Sequence, residues 1–332
     1  MREAIAHAEV GDEQKREDPS VNELERRGAT LLGQEEAVYL PTATMANNIA
    51  LRILAAPGEE LLTEESSHIM LYELGGAAVH GGLVMRGLPG EDGRLRPDQL
   101  RRAMRPHDPF HLSRTRVVSI ENTHNSSGGR VWQESEVVAI SETCRELDLR
   151  LHLDGARLMN AAVALEVPPS TLGRHCDTVT LCLSKGLGCP LGALLAGSAE
   201  RMETARRLKH LFGGAMRQAG IVAAAGIYAL DHHVERLADD HARARRLAEA
   251  LEADGVPIDL AQVETNFVQV DVAPLGLDWA QALARLADVE VGLTPTAHPN
   301  VLRAVVHLDI DDDDIEQAAA RIPRALGALA RV

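Results

Sequence analysis

The stretch Thr178-Val-Thr-Leu-Cys-Leu-Ser-Lys-Gly-Leu-Gly188 decides how the rest of the chain is interpreted. Its apolar, β-branched first half predicts a buried strand, and Lys185 follows that strand just before glycines that allow a tight turn. Lys15 and Lys209 are the other lysines, so arginine carries most of the positive charge. An amine here indicates chemistry such as Schiff-base formation, which arginine cannot perform. By itself, a lysine in such a turn is more often an ordinary surface residue.

A second apolar stretch, Arg150 to Asp154, also predicts a strand that ends in charge, and Arg157 follows three residues later. Open α/β sheets bind ligands beyond the carboxyl ends of their strands. A lysine and a carboxylate delivered there match the needs of pyridoxal 5′-phosphate (PLP). The lysine forms an imine with this cofactor, and the carboxylate keeps its pyridine nitrogen protonated. The two strands therefore predict an α/β protein with a PLP site.

Several short motifs follow one another between about residue 8 and about residue 315. They are Glu17-Asp18-Pro19, Asn22-Glu23-Leu24-Glu25, Thr44-Met45-Ala46-Asn47, Ser67-His68-Ile69, Glu121-Asn122-Thr123-His124-Asn125, Ser127-Gly128-Gly129-Arg130, His152-Leu153-Asp154-Gly155-Ala156-Arg157, Cys182-Leu183-Ser184-Lys185-Gly186-Leu187 and Met216-Arg217-Gln218-Ala219-Gly220. In these motifs and their order, the chain resembles the threonine aldolases, which are PLP-dependent enzymes of fold type I within the β-eliminating lyases.

The resemblance implies the PLP-dependent transferase-like fold of type I. In that fold a large domain holds a mostly parallel, seven-stranded sheet, and a small α/β domain follows it. We place the large domain at residues 1–230 and the small domain at residues 231–332, with the N-terminal helical segment, residues 1–17, as a candidate to pack on the small domain. The resemblance also implies a homo-oligomer, either a dimer or a homotetramer, with sites near the dimer interface.

For the cofactor, the resemblance assigns the phosphate to Ala43 and Thr44, where small and hydroxyl residues open a helix and its N–H groups face an anion. Relatives usually carry glycine in place of Ala43, so alanine fits only if its φ is negative. The alternative is an ordinary threonine cap. His68 matches the histidine that stacks on the PLP ring, and Arg157 lies beside the cofactor carboxylate Asp154.

For the substrate, the resemblance assigns the α-carboxylate to Arg157 and Arg303 and a place beside the substrate side chain to Tyr72. Either His68 or His124 takes the proton of the β-hydroxyl, and the sequence leaves that choice open. Structural alternatives stand beside these roles. Tyr72 fits core packing equally well, His124 fits a structural histidine, and Arg303 fits an arginine on an edge strand.

The implied reaction is retro-aldol cleavage of L-threonine, L-allo-threonine and related β-hydroxy-α-amino acids to glycine and an aldehyde. A PLP-dependent β-eliminating lyase is the first alternative. A PLP-binding paralogue without turnover is the second alternative. Relatives usually carry an Arg-Ser-Asp-Thr motif ahead of the first helix and a Val-Tyr-Gly motif at the place of residues 13–16, and the given sequence shows neither motif.

Charge and composition exclude several classes of binding partner. The net charge of −15, from 34 basic and 49 acidic residues, argues against nucleic acid and against an anionic membrane surface. The sequence shows no signal peptide and no apolar run that could span a bilayer. The 4 cysteines have no metal-type spacing, which predicts a reduced, cytoplasmic protein without a metal site. A small amino acid is the expected partner.

Local patterns predict further elements. Ser20-Val-Asn-Glu23 fits a capping box that opens a helix to about Leu32, closed by Gly33. Residues 193–197 predict a strand that returns antiparallel to the strand before Lys185. In the small domain, residues 263–272 and 302–306 predict strands, and helices are expected after Asp278 and Asp311.

Overall fold

The structure is a computed structural model that describes residues 1–105 and 109–328. These residues form two compact units. The first unit holds Met1–Thr123 and Trp132–Glu235, and the second holds His124–Val131 and the chain from Arg236 onward. Among the described helices, none has both the length and the apolar character needed to cross a bilayer.

The first unit is built on a seven-stranded sheet. Its strands are β1 (Glu36–Leu40), β2 (Glu60–Glu64), β3 (Val84–Leu88), β4 (Thr115–Glu121), β5 (Arg150–Gly155), β6 (Thr178–Cys182) and β7 (Ala193–Gly197). Their order across the sheet is β1-β7-β6-β5-β4-β2-β3. Only the pairs that β7 makes with β1 and β6 are antiparallel. The prediction of a mostly parallel sheet is confirmed, and so is the antiparallel return of residues 193–197.

Helices cover this sheet. They are α1 (Arg2–Ala6), α2 (Pro19–Leu32), α3 (Ala43–Leu54), α4 (His68–Leu71), α5 (Gly76–Gly81), α6 (Pro97–Ala103), α7 (Glu134–Glu146), α8 (Leu158–Leu165), α9 (Ser170–Gly173), α10 (Ala199–Leu211) and α11 (Gly220–His232). Every residue of β2, β6 and β7 is buried. Burial along the whole strand is typical of a sheet that helices cover on both faces.

The start of α2 corrects one prediction. The helix begins at Pro19, and its cap is Asp18 rather than Ser20, because the Asp18 carboxylate accepts the N–H of Val21 at 3.0 Å. Proline at the first helical position suits this arrangement, since its missing N–H is one that the helix would leave unpaired. Gly33 ends the helix with a left-handed φ of 68°, as predicted.

The second unit has a three-stranded antiparallel sheet in the order β8-β10-β9. Its elements are α12 (Leu237–Ala253), β8 (Phe267–Asp271), α13 (Trp279–Ala287), β9 (Thr294–Pro295), β10 (Val301–Val305) and α14 (Asp312–Leu326). Asp278 and Asp311 cap α13 and α14 with capping boxes, which confirms the two predicted helix starts. The strand predicted over residues 263–272 is shorter and runs from Phe267 to Asp271, because the chain bends over residues 264–266 before it.

The boundaries of the two units differ from those of the predicted domains. The chain passes into the second unit at Arg236, five residues after the predicted boundary, and it also enters that unit over His124–Val131. Helix α1 belongs to the first unit, where it packs on α11. The division into a domain of residues 1–230 and one of residues 231–332 stays a prediction.

Candidate active site

Lys185 lies just beyond the carboxyl end of β6, the strand from which the fold was predicted. The turn after it is closed by the N–H of Gly188, which donates to the Lys185 carbonyl at 2.9 Å, and Gly188 has a left-handed φ of 71°. Burial lowers the pKa of the Lys185 amine, and the positive charge of Arg157 lowers it further, outweighing the negative charges nearby. A lysine with a lowered pKa is neutral more often and is therefore a better nucleophile.

Asp154 lies near the carboxyl end of β5, which runs parallel to β6 and pairs Asp154 with Thr180. The carboxylate is 2% exposed. One of its oxygens accepts the N–H of Ala156 at 3.1 Å, and the other accepts the side-chain amide of Asn47 at 2.9 Å. Lys185 and Asp154 therefore leave neighbouring strands at the same edge of the sheet, and the charge of Asp154 acts on the Lys185 amine.

His68 begins α4 on the far side of β4. Its backbone N–H donates to the Glu121 carboxylate, at the end of β4, over 2.6 Å. Tyr72 follows α4 as its C-cap, and the centroids of the two rings are 5.5 Å apart. Burial lowers the pKa of the His68 imidazole. A hydrogen bond to Glu73 and the charges of Asp154 and Glu121 act more strongly, so the pKa lies above its ordinary value.

The N-terminus of α3 contains the predicted phosphate residues. Thr42 is the cap, and its hydroxyl accepts the N–H of Met45 at 3.1 Å. Ala43 and Thr44 are the first helical residues, where backbone N–H groups have no partner within the helix. Ala43 has a helical backbone with negative φ, so the condition for alanine at this position is met.

Arg157 is the N-cap residue of α8, immediately after β5. It is half-buried, and its charge depresses the pKa of Lys185. Along the chain, two residues separate it from Asp154, so the end of β5 and the turn that follows bring a carboxylate and a guanidinium to the same edge of the sheet.

Three buried residues extend this site, and the sequence analysis missed their part in it. They are Asn47 on α3, Glu73 after α4 and His152 on β5. The Asn47 amide donates to Glu73 at 2.8 Å as well as to Asp154, and its oxygen lies 3.2 Å from His152 Nε2. His68 Nδ1 lies 3.0 Å from the same Glu73 oxygen.

The same hydrogen-bond network accounts for a compact cluster of side-chain atoms that could coordinate a metal ion. His68, Glu73 and Asp154 each place one such atom within 4.8 Å of the others, a spacing that a metal ion could also use. The Asn47 amide bridges the two carboxylates, and the imidazole contacts one of them, so hydrogen bonds account for the arrangement. In the sequence, one feature could have drawn attention to Glu73. It is the single acidic residue in the segment from His68 to Val84, which contains no lysine or arginine.

The remaining predicted residues, His124 and Arg303, belong to the second unit. His124 is fully buried, and its Nδ1 accepts the N–H of Ser127 at 3.2 Å. Arg303 donates to the Asn125 side chain at 2.6 Å, and its guanidinium lies 4.7 Å from the centroid of the Phe267 ring. β10, which carries Arg303, is the central strand of its sheet, so the alternative of an edge-strand arginine is wrong.

The residues of the first unit fit the predicted cofactor. A lysine with a lowered pKa and a buried carboxylate are the two groups that PLP needs. A carboxylate has about four lone-pair positions, so Asp154 can accept a further N–H. Thr180, paired with Asp154 in the sheet, has a buried hydroxyl that finds no hydrogen-bond partner among the described residues. A polar ligand would satisfy that hydroxyl.

The sheet order and a lysine after β6 define an α/β protein of fold type I. Two solved structures share this fold. They are a putative L-allo-threonine aldolase from Listeria monocytogenes, with TM-score 0.79, 23% identity and coverage of 96% of this chain and 89% of that one, and a threonine aldolase from Leishmania major, with TM-score 0.80, 21% identity and coverage of 93% and 90%.

Sequence comparison gives the family. The family model described as "Beta-eliminating lyase" matches residues 1–273. The low specificity L-threonine aldolase of Escherichia coli K12 is 40% identical over 324 residues, which are 96% of this chain and 93% of that protein. The probable low-specificity L-threonine aldolase 2 of Arabidopsis thaliana is 37% identical over 95% of this chain and 90% of its own. The chain belongs to the beta-eliminating lyase family, among its threonine aldolases.

Proposed function

We propose that this protein cleaves the Cα–Cβ bond of L-threonine, L-allo-threonine and related β-hydroxy-α-amino acids, giving glycine and an aldehyde. With threonine the aldehyde is acetaldehyde. The β-hydroxyl loses its proton as Cβ becomes the carbonyl carbon, and Cα gains a proton as glycine leaves, so the reaction needs no oxidant. The names of the relatives support this substrate class.

The cofactor of the proposal is PLP, which when bound supplies a ring that accepts the electron pair of the breaking bond. Lys185 would hold it covalently, and Asp154 would hold its ring nitrogen. His68 would cover the ring, and the first N–H groups of α3, at Ala43 and Thr44, would bind the phosphate. The observation that carries the proposal is the delivery of Lys185 and Asp154 by adjacent parallel strands to one edge of the sheet.

The substrate roles are proposals about individual side chains. Arg157 and Arg303 bind the α-carboxylate, because a guanidinium holds a carboxylate through two parallel hydrogen bonds. Such a clamp orients the bond that breaks. Tyr72 borders the substrate side chain, and His68 or His124 accepts the β-hydroxyl proton.

The test compares Lys185→Ala with Lys15→Ala, which removes an exposed lysine. The purified protein and the control should show the visible absorbance of a lysine-bound cofactor and release acetaldehyde from threonine. Lys185→Ala should lose both. A visible band with no aldehyde from threonine or allo-threonine would overturn the aldolase proposal and leave cofactor binding standing.

β-Elimination is the second candidate, because the matching family model carries that name. It would use the same lysine and carboxylate, but its products are a 2-oxo acid and ammonia. With threonine as substrate, assaying 2-oxobutanoate and ammonia beside glycine and acetaldehyde separates the two. 2-Oxobutanoate without glycine would favour elimination.

We extend the proposal to assembly and location. A homodimer or homotetramer is supported by large, exposed apolar side chains that follow Tyr72 in the sequence, among them Leu74, which is 96% exposed, and Val79, which is 74% exposed. Light scattering on the eluting protein tests it, and a monomer would contradict it. A cytoplasmic location is supported by the cysteines, all 4 of which are buried thiols.

A further inference from the structure

Glu73 is a carboxylate in an unusual setting. It is 6% exposed and follows α4 directly. The tight turn after it needs left-handed backbone at Leu74, with φ of 53°, and at Gly75, with φ of 69°. For a leucine such backbone is strained by about 1 kcal/mol or more, and strain of this kind collects at functional sites. The turn leaves Leu74 on the surface and holds the Glu73 carboxylate in the interior.

The hydrogen bonds around Glu73 indicate the protonation state of its carboxylate. The amide of Asn47 donates to it at 2.8 Å and the amide of Asn48 at 3.3 Å. An amide nitrogen only donates, so these contacts suit an ionised carboxylate. His68 Nδ1 lies 3.0 Å from the oxygen that Asn47 contacts, and an ionised carboxylate at that distance can only accept a hydrogen bond from the ring.

The orientation of Asn47 is fixed from its other side. His152 is fully buried, and burial lowers the pKa of its imidazole to about 4, so the ring is neutral. Its Nε2 lies 3.2 Å from the Asn47 oxygen and its Nδ1 lies 2.9 Å from the Thr178 hydroxyl. An oxygen facing Nε2 must accept, so both hydrogens of the Asn47 amide point to carboxylates, one on Glu73 and one on Asp154.

Tight packing maintains this geometry. Asn48 also donates to the Thr44 carbonyl at 2.7 Å, which ties it to the first turn of α3. A Cβ on Gly76 would lie 2.4 Å from the Asn48 side chain, so α5 approaches α3 closely only because this residue is glycine. Two residues therefore hold Glu73 in place. Asn47 connects it to Asp154 and His152 on β5, and Asn48 connects it to the first turn of α3.

We infer that Glu73 is a positioning residue that fixes the His68 imidazole with Nδ1 protonated and Nε2 ready to accept the proton of the β-hydroxyl. The inference rests on the proposed function and chooses His68 over His124 as the base. A carboxylate on one ring nitrogen selects the tautomer and stabilises the imidazolium that forms when the other nitrogen takes a proton. No described residue hydrogen-bonds to His68 Nε2.

The first test is spectroscopic and does not depend on turnover. Histidine-labelled holoprotein is titrated by NMR, with the His68 signals identified by their loss in His68→Asn. We expect neutral His68 to carry its proton on Nδ1. The Nε2–H tautomer would overturn the inference even if the enzyme is fully active, because the tautomer is measured on the unmodified chain.

The second test compares Glu73→Gln with Glu65→Gln, which changes an exposed glutamate in the turn between β2 and α4. Removing the Glu73 charge should lower the His68 pKa, since only Asp154 and Glu121 on neighbouring strands then favour the charged ring. The acid limb of the kcat/KM profile should move to lower pH by about one unit. At the optimum, kcat/KM for threonine should fall on the order of 100-fold. Glu65→Gln should change neither.

A double-mutant cycle separates positioning from simple structural support. If Glu73 acts through His68, Glu73→Gln should lower kcat/KM little further once His68 is asparagine. An equal loss with and without His68 would overturn the inference. Absence of aldehyde from the unmodified protein would instead defeat the proposed function, and the NMR titration would still decide the role of Glu73.

Discussion

Replacing Asn47 by alanine should destabilise the first unit more than any surface change, because this one amide connects three buried groups. It donates to Glu73 and Asp154, and it accepts from His152. A hydrogen bond to a charged partner contributes about 1.5–3 kcal/mol and one between neutral groups about 1 kcal/mol. Water entering the vacated space recovers part of the total. We therefore expect a loss of about 3–5 kcal/mol in the free energy of unfolding, which is a large share of the roughly 5–15 kcal/mol typical of proteins.

Urea denaturation followed by fluorescence measures this loss. The chain has 2 tryptophans, Trp132 buried in the first unit and Trp279 half-exposed in the second. A Trp279→Phe background makes the signal report the first unit alone. Asn22→Ala is the matched control, because that exposed asparagine makes a single hydrogen bond to the Arg16 carbonyl. The midpoint of Asn47→Ala should fall by more than about 1 M urea.

A small effect would refute the reasoning. If Asn47→Ala changed the free energy of unfolding by less than about 1 kcal/mol, as surface substitutions do, the amide would not be holding the two carboxylates in place. The Glu73 pKa gives a second check. Burial already raises that pKa and the Asn47 hydrogen bond lowers it, so the variant should raise it further.

Three further outcomes follow from buried groups. His152 has a folded pKa of about 4, below its ordinary 6.5, so the unfolded chain binds the proton better and stability should fall as pH drops from 6.5 to 4; His152→Gln should flatten that slope in denaturation curves. Lys209 is nearly buried and forms an ion pair with Glu13, so Lys209→Met should destabilise by about 3–5 kcal/mol, whereas adding Glu13→Gln should restore most of it; equal losses in both variants would contradict this. Gly76→Ala should lower the melting temperature, because its Cβ meets the side chain of Asn48, and an unchanged melting temperature would show that α5 can move away.

The sheet around Lys185 could be predicted because its signals are local. An apolar run that ends in charge marks both β5 and β6, and an apolar run that ends in glycine marks β7. The caps at Asp278 and Asp311 were visible for the same reason, since a capping box spans only a few residues. The cap of α2 was misplaced by two residues because Asp18 and Ser20 are both residue types that cap helices, and only the folded chain shows that the Asp18 carboxylate accepts the N–H of Val21.

The network behind the site could not be predicted, because its members meet only in the folded chain. Asn47 and Asp154 are 107 residues apart in sequence, and Asn47 and Glu73 are 26 apart. Nothing local distinguishes an asparagine that bridges two carboxylates from one on a helix surface. The resemblance supplied the residues expected to touch the cofactor and substrate, and the structure adds the side chains that hold one of them.

Residues His124–Val131 belong to the second unit although they lie within the sequence of the first, and this affects folding during synthesis. Their contacts come from residues synthesised much later, as when the Thr265 hydroxyl donates to the Gly129 carbonyl across 136 residues. Ribosomes add about 5–20 residues per second. The segment must therefore wait on the order of ten seconds for its neighbours. A fragment that starts at Arg236 would lack an internal part of its own fold, so no single cut of the gene yields the second unit whole.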